Sequence, residues 1–327
     1  MLTGDALLVA KEVAEKLSLD HGIRKMSEFR ELETGDEFAE AVEAGSGVAE
    51  IYPEDKYKIV KGLQGLKHVV GMTGDGINDA AALKQAEVGI AVKSATDVAK
   101  GAASAVLTID GLGPIVDMIK IGRMVYQRIL TWVVNKIVKT FQVVVFVVLA
   151  FLATGSFVVS IFSMVLYLFL TDFATLSIST DRVSFSPKPD TWDIGWLVKV
   201  GVLVGAMTVV ESFFLLYLGM IAFGLGGELG RLQMFIFAYL VFSGLFNVFI
   251  LRERKHFWNS RPSKPLLTVM IVDVVLVVGI SLLGLYNLPS ISPEELAVVL
   301  AWALVSSLVV NDPAKVKLVG LFGTTKT

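Results

Sequence analysis

Six long apolar runs follow one another after Thr131, and they constrain the fold more than any other feature of this sequence. Each is close to the ~20 residues that an α-helix needs to cross the hydrocarbon core of a bilayer. Core helices of a large soluble protein are the alternative, but six such runs in succession favour membrane spans. We predict spans at residues 131–153, 157–178, 195–222, 232–250, 266–286 and 294–310.

Composition divides the chain into two zones. Charged residues crowd the first part, while the whole chain is 54% hydrophobic, more than a soluble domain of this length needs. The near-neutral net charge of −2 argues against a nucleic-acid partner, which would favour a basic face. Because the chain has no cysteine, disulfides, thiolate metal sites and cysteine nucleophiles are excluded.

The first 110 residues show short strand patterns that alternate with helical ones, which predicts a parallel sheet with helices on its faces. The acidic stretch at 28–43 is expected to be a surface excursion with a short helix. A break at 111–114 contains Pro114, which is well tolerated in a first helical turn. We therefore predict a soluble domain at 1–112, a stalk helix at 113–130, a six-helix transmembrane domain at 131–312 and a tail at 313–327.

Basic residues lie in alternate connections between the predicted spans, and the positive-inside rule places those connections in the cytoplasm. The soluble zone and the tail are then cytoplasmic as well. The basic residues concerned are Arg182, Lys188, Lys199, Arg252, Arg254, Lys255, Arg261, Lys264, Lys315, Lys317 and Lys326.

The most specific motif is Thr-Gly-Asp-Gly-Ile-Asn-Asp at 73–79, between a predicted strand and a predicted helix. Its glycines allow a tight turn and a close approach of the backbone. Asp75 and Asp79 place two oxygen ligands near one point, which suits Mg²⁺ together with water and phosphate oxygens. Asn78 can donate to a phosphoryl oxygen. An ordinary Asx-rich loop is the alternative, and the strand–loop–helix context argues against it.

Two shorter features extend this interpretation. Thr3, Gly4 and Asp5 offer a hydroxyl and backbone N–H groups where a strand meets a helix, which is a natural anion site. Lys56 lies near the start of a predicted helix. A lone lysine is usually a solvated surface charge, but between these two motifs it is interpreted as the cation that neutralises a transferring phosphoryl group.

The order Thr-Gly-Asp, Pro-x-x-Lys, Thr-Gly-Asp-Gly-x-Asn-Asp resembles the phosphorylation domain of P-type cation-transporting ATPases, a branch of the haloacid dehalogenase superfamily. The resemblance implies a partial haloacid-dehalogenase-like (Rossmann-like) α/β domain followed by an all-α six-helix transmembrane bundle. It implies Mg²⁺ and ATP as cofactors, with the ATP-binding domain outside this chain. The matching residues are Asp75 and Asp79 for Mg²⁺, Thr3, Gly4, Asp5 and Lys56 for phosphate, and Asn78 for orienting the phosphoryl group.

The chain also departs from the family. The phosphorylated aspartate of these pumps lies in an Asp-Lys-Thr-Gly-Thr segment, which this sequence does not contain. The actuator domain, the nucleotide-binding domain and the first four membrane helices do not occur either. We expect an N-terminal half to supply them, and we expect this chain alone not to form an aspartyl phosphate, because phosphoryl transfer needs a positioned nucleophile. Ala81 replaces a usual proline.

Ionisable residues inside membrane spans are costly and are functional candidates by default. Asp172 lies about 9 Å inside its span and Lys139 about 12 Å inside the preceding antiparallel one, so the two are expected to pair. Such a pair would hold Asp172 ionised until the lysine is displaced. Lys136 is a further candidate, for which a simple extension of the side chain to the interface is the equally weighted alternative. Glu211 has no obvious partner, and Asp273 lies close enough to the interface to be structural.

Residues 171–192 resemble plasma-membrane proton pumps, and Asp172 falls where those pumps carry their proton-accepting aspartate. Calcium pumps carry an asparagine where this chain has Leu168, and Ca²⁺ needs six to eight oxygens that the apolar neighbours do not supply. The resemblance therefore implies proton export across a plasma membrane. Gln142 stands near a position where proton pumps carry an arginine, for which Lys139 or Lys136 would substitute.

Two other readings stay open, and a third is opposed by the sequence. The chain could be a non-catalytic membrane protein derived from such a pump, either a pseudoenzyme or a regulatory subunit. It could belong to a pump for another cation, such as calcium or magnesium. A membrane-anchored phosphatase is opposed by the missing nucleophile and by six spans, more than an anchor needs.

Overall fold

The computed structural model describes residues 1–19, 22–30, 32, 35–111, 113–187 and 193–322. The chain divides into two compact units, Met1–Met118 and Ile119–Thr327. Part of the sequence resemblance, at 188–192, and the end of the predicted tail, at 323–327, lie outside the described residues.

The first unit is an α/β domain built from short elements. In chain order they are α1 (Leu7–Lys16), β1 (Ile23–Lys25), α2 (Met26–Phe29), α3 (Asp36–Glu43), β2 (Gly47–Ala49), α4 (Pro53–Gly65), β3 (Gly71–Gly74), α5 (Ala80–Gln85), β4 (Val88–Ala91), α6 (Asp97–Ala102) and β5 (Ala105–Val106). A 3₁₀ turn at Ile77–Asp79 joins β3 to α5.

All strand pairs in this unit are parallel, as the alternation of strand and helix predicts. Among the described residues the strands form two separate sheets, one of β1 and β2 and one in the order β3–β4–β5. Leu2 extends the smaller sheet through a parallel bridge to Val48. The sequence did not predict β1, because its three residues are Ile23 followed by the charged Arg24 and Lys25.

The stretch at 28–43 is not the surface excursion that its acidity predicted. Phe29 and Phe38 are buried, with ring centroids 6.3 Å apart in an edge-to-face arrangement. They pack in one core cluster with Val42 and Ile59. The short helix predicted there is confirmed as α3. The surface placement is wrong because the acidic residues occupy the solvent face of α3, while its opposite face is apolar.

The described residues of the second unit contain six helices long and apolar enough to cross a membrane, which confirms the predicted bundle. They are α7 (Gly113–Thr154), α8 (Ile161–Ser177), α9 (Ile194–Ile221), α10 (Leu229–Leu251), α11 (Lys264–Leu283), and a last span made of α12 (Pro293–Leu304), a π-helix (Val305–Asn311) and α13 (Asp312–Phe322). A 3₁₀ turn at Ile178–Thr180 extends α8.

The single helix α7 covers both the predicted stalk and the first predicted span. With 42 residues it is about 63 Å long, roughly twice the thickness of a bilayer core. The last span likewise continues to Phe322, through residues that were assigned to the tail.

Helix α10 is the centre of the bundle and contacts α8, α9, α11 and α12. Every residue from Met234 to Leu245 is buried, including Tyr239 and Ser243. A helix that is apolar on all sides is typical of such a central position. The polar groups that α10 carries must therefore find partners inside the bundle.

Candidate functional sites

The motif at 73–79 begins in the last residues of β3 and turns sharply into α5. Gly74 is required there, because a Cβ at this position would lie 2.5 Å from the Cβ of Asp79. The 3₁₀ turn then directs Asp79 back under the end of the strand. The carboxylate consequently accepts hydrogen bonds from two backbone N–H groups, those of Asp75 at 3.1 Å and Gly76 at 3.2 Å.

Lys56 approaches the same carboxylate from α4. Its Nζ lies 2.6 Å from Oδ1 of Asp79, so the structure brings together two residues that are 23 positions apart. Helix α4 starts at Pro53, and its first turn is capped by Asp55, which accepts from the Tyr52 N–H at 2.9 Å and from Arg30 at 3.1 Å. This cap fixes the start of the helix that presents Lys56.

The balance of forces on Asp79 favours its ionised form. Burial by itself would raise the pKa of the Asp79 carboxyl, but hydrogen bonds from Lys56 and from the Gly76 and Asp75 N–H groups, together with the charge of Lys56, outweigh it. The pKa therefore lies below its usual value. An ionised carboxylate beside a lysine is a suitable environment for a phosphoryl group and a divalent cation.

The side chains of Asp75 and Asn78 are exposed beside Asp79. Within the described residues no three acidic or histidine side chains meet at a metal-binding distance. Mg²⁺ does not need such a set, since it is usually held by one or two carboxylates with waters and phosphate oxygens. The donor set of Asp75 and Asp79 therefore fits Mg²⁺, with Asp75 offering the free carboxylate and Asp79 the one shared with Lys56.

The Thr3–Asp5 motif is organised locally. The Thr3 hydroxyl donates to Oδ2 of Asp5 at 2.7 Å and accepts from the Asp5 N–H at 3.2 Å. The Thr3 backbone N–H donates to the carbonyl of Val48 at 3.1 Å, which anchors the motif to β2. No described hydrogen bond joins these residues to Lys56 or Asp79, so the structure assembles the second half of the predicted phosphate site and leaves Thr3, Gly4 and Asp5 on the other sheet.

The second site lies in the membrane unit, where Asp172 of α8 meets two lysines of α7. Its Oδ1 accepts from Nζ of Lys136 at 2.6 Å and from Nζ of Lys139 at 3.0 Å. Lys136 thus pairs with Asp172, and its extension to the interface stays a prediction. Two cations on one carboxylate leave a net charge of +1 at this point of the bundle.

The surroundings of Asp172 fix Lys139 more firmly than Lys136. Lys139 also donates to the hydroxyl of Thr171 and lies 5.0 Å from the ring centroid of Tyr167. The side chain of Asp172 is 47% exposed, on a helix face that also exposes Phe169 and Phe173. This face is open to lipid or to further helices.

Gln142 does not take part in this site. It is fully buried, and its Nε2 donates to the hydroxyls of Ser212 at 3.2 Å and Ser243 at 3.3 Å. Lys136 and Lys139 are thus the cations near Asp172, as the sequence suggested in place of an arginine at Gln142.

A buried ion pair at the ends of α8 and α10 was not predicted. Arg252 Nε donates to Oδ2 of Asp181 at 2.7 Å, and both side chains are 1% exposed. Asp181 also accepts from the Ser263 N–H at 2.9 Å, and its carbonyl accepts from Arg128 at 2.9 Å. The sequence showed Arg252 only as one of several loop charges, because nothing local indicates a partner 71 residues away.

Similar proteins carry the names of plasma membrane ATPases and of a cation-transporting ATPase. The chain is 37% identical over 270 residues to a candidate cation-transporting ATPase of Methanocaldococcus jannaschii, covering 81% of this chain and 33% of that protein. It is 34% identical over 281 residues to plasma membrane ATPase 1 of Saccharomyces cerevisiae, covering 84% of this chain and 30% of that protein. A probable plasma membrane ATPase of Dictyostelium discoideum is 32% identical over 297 residues, covering 88% and 28%.

Two family models match successive parts of the sequence. Residues 11–119 match the haloacid dehalogenase-like hydrolases, and residues 181–312 match the C-terminus of cation transporting ATPases. The chain belongs to the P-type cation-transporting ATPase family. This P-type ATPase chain spans about a third of the length of the curated relatives it matches. The family generally uses Mg²⁺ and ATP, in agreement with the donor set of Asp75 and Asp79.

Proposed function

We propose that this chain is the C-terminal part of an ATP-driven pump that exports protons, with Asp172 as the carboxylate that binds the transported ion. The observation that carries the proposal is the cluster that Asp172 of α8 forms with Lys136 and Lys139 of α7. A single carboxylate with resident ammonium partners has the means to alternate between an ion pair and a protonated acid.

The identity of the ion follows from the ligands around Asp172. Its neighbours Phe169 and Leu170 are apolar, so they offer no side-chain oxygen to a hydrated metal ion. Two lysines on Asp172 would repel Ca²⁺ or Mg²⁺, whereas a proton adds only one charge and needs one oxygen. This argument supports proton transport over transport of calcium or magnesium.

The soluble unit supplies part of the phosphorylation site in this proposal. Asp75 and Asp79 would hold Mg²⁺, Lys56 would neutralise the phosphoryl group and Asn78 would orient it, with Thr3, Gly4 and Asp5 as further phosphate contacts. Mg²⁺ would supply charge neutralisation for an aspartyl phosphate whose nucleophile is not among these 327 residues. The division of the strands into two sheets supports the expectation that a further strand completes the domain.

The orientation in this proposal places the soluble unit and the basic connections in the cytoplasm, with the chain in the plasma membrane. The lone arginine near the opposite side, Arg231, supports it, because its charge is balanced by Glu228 at 3.0 Å and Glu295 at 2.7 Å. The name of the Saccharomyces relative, a plasma membrane ATPase, agrees with this location. Lys315 was assigned to the basic tail from the sequence. Its side chain is buried, so it does not support the orientation that the positive-inside rule gives.

The test uses the assembled pump, in which this chain is joined to the region that carries the phosphorylated aspartate. Reconstituted in liposomes with a pH-sensitive dye, the pump should acidify the lumen on addition of ATP. Asp172→Asn should abolish this acidification while aspartyl-phosphate formation persists, and Asp273→Asn, the matched change on α11, should retain it. Proton transport by Asp172→Asn would refute the assignment.

A further inference from the structure

A second ionisable group lies deep in the bundle without a counter-charge. Glu211 of α9 is 7% exposed. Its Oε2 accepts from Nδ2 of Asn311 at 3.2 Å and from the hydroxyl of Tyr239 at 3.5 Å. Among the described residues no lysine, arginine or histidine forms an ion pair with it, in contrast to Asp172. A buried carboxylate without a positive partner is strongly unfavourable, so this position needs either a proton on Glu211 or a bound cation.

Two acceptor atoms of this cluster lack partners. Oε1 of Glu211 and Oδ1 of Asn311 have no hydrogen-bond partner in the described structure. Carboxylate and amide oxygens cannot donate, so these two atoms require a donor or a cation. The hydroxyl of Ser306 also lies beside the Glu211 carboxylate. A bound metal ion would therefore meet a carboxylate, an amide and a hydroxyl oxygen together.

The helix geometry at this point is unusual. Residues Val305–Asn311 form a π-helix between α12 and α13, a rare conformation that occurs frequently at functional sites. The π-helix contains Ser306, Ser307 and Asn311, all fully buried. The indole N–H of Trp302, just before it, donates to the backbone carbonyl of Glu211 at 3.2 Å and fixes this segment to α9.

A line of buried polar residues connects this cluster with the end of α10. Tyr239, Ser243 and Asn247 follow one another at intervals of four and share one face of the helix. Gln142 joins them by donating to Ser243. The line covers about 12 Å and ends one turn before the basic connection that starts at Arg252. Oδ1 of Asn247 and Oε1 of Gln142 are again acceptors without partners, as expected where water or an ion passes.

We propose that Glu211, Asn311 and Ser306 form a second cation site, separate from Asp172, that binds a monovalent metal ion. The charge argues for a monovalent ion, because the site holds one carboxylate and a divalent ion would leave an excess charge in apolar surroundings. Ca²⁺ would also require six to eight oxygens. The inference does not depend on the proposed function, since its test needs neither ATP nor transport.

The test measures cation-dependent stability of the purified chain in detergent. We expect the unfolding temperature in NaCl or KCl at pH 8 to exceed that in N-methyl-D-glucamine chloride of equal ionic strength by at least about 2 °C, because a ligand that binds only the folded state stabilises it. Glu211→Gln should lose this difference. Asp273→Asn, which alters another buried carboxylate with an unpartnered oxygen, should keep it.

A second measurement guards against a variant that unfolds. Ser306→Ala removes only one hydroxyl, and equilibrium binding of radioactive Na⁺ or Rb⁺ to this variant should show an affinity about two- to tenfold weaker than that of the unaltered chain. The proposal is overturned if Glu211→Gln keeps the cation effect. It is also overturned if the unaltered chain responds to pH alone and not to the metal ion, since Glu211 would then simply carry a proton.

Discussion

The buried pair of Arg252 and Asp181 should contribute strongly to the stability of the helix bundle, and mutation can test this. Replacing Arg252 by methionine keeps most of the side-chain volume but leaves the Asp181 carboxylate buried without its partner. Breaking a buried pair in this way costs about 3–5 kcal/mol. Both side chains are 1% exposed, so solvent cannot compensate.

The expected shift can be worked out from the size of the unit. For a domain of this size about 1 kcal/mol corresponds to 2–4 °C, so Arg252→Met should lower the unfolding temperature in detergent by roughly 6–20 °C. Arg261→Met, which alters an exposed arginine of the same connection, should change it by less than about 2 °C.

A double-mutant cycle separates the ion pair from simple packing. Arg252→Met leaves the Asp181 charge buried and unpaired, and Asp181→Asn removes that charge. The double variant should therefore lose clearly less free energy of unfolding than the two single variants lose in sum. Additive effects within about 0.5 kcal/mol, or a shift for Arg252→Met as small as that of Arg261→Met, would refute the reasoning.

Three further predictions concern the soluble unit. Lys56→Met should raise the pKa of the Asp79 carboxyl toward its ordinary value of about 3.9. The ionised Asp79 stabilises the fold above that pH, and this stabilisation is lost as the pH falls through the lower pKa of the folded state, so the variant should show a smaller loss. Unfolding curves between pH 7 and 3 test this, with Lys58→Met as the control. Gly74→Ala should destabilise by about 1–3 kcal/mol in denaturant unfolding, because its Cβ meets Asp79, whereas Gly101→Ala, with no atom within 4 Å, should be neutral or stabilising; equal effects would contradict the close approach. The isolated chain should incorporate no acid-stable phosphate from ATP or inorganic phosphate with Mg²⁺, and a vanadate-sensitive phosphoenzyme would contradict this.

Much of the architecture follows from local patterns. The third predicted span, 195–222, differs from Ile194–Ile221 by one residue at each end, since the length of an apolar run is set by the bilayer and is visible in the sequence. The turn at 73–79 was predictable because its glycines and carboxylates are consecutive. The buried position of Phe29 and Phe38 was not predictable, because in so short a stretch the acidic residues outweigh the apolar pattern of the opposite face.

The sequence by itself determined the two zones of this protein, the six spans, the motif with Asp75 and Asp79, and the depth of Asp172 in its span. Tertiary structure alone decided which other distant groups share an environment: Lys136 as the second lysine on Asp172, Arg252 on Asp181, and Asn311 beside Glu211, 100 residues apart. The physical reason is that apolar periodicity specifies which face of a helix is buried, whereas the partner of a buried charge depends on how helices far apart in the sequence pack together.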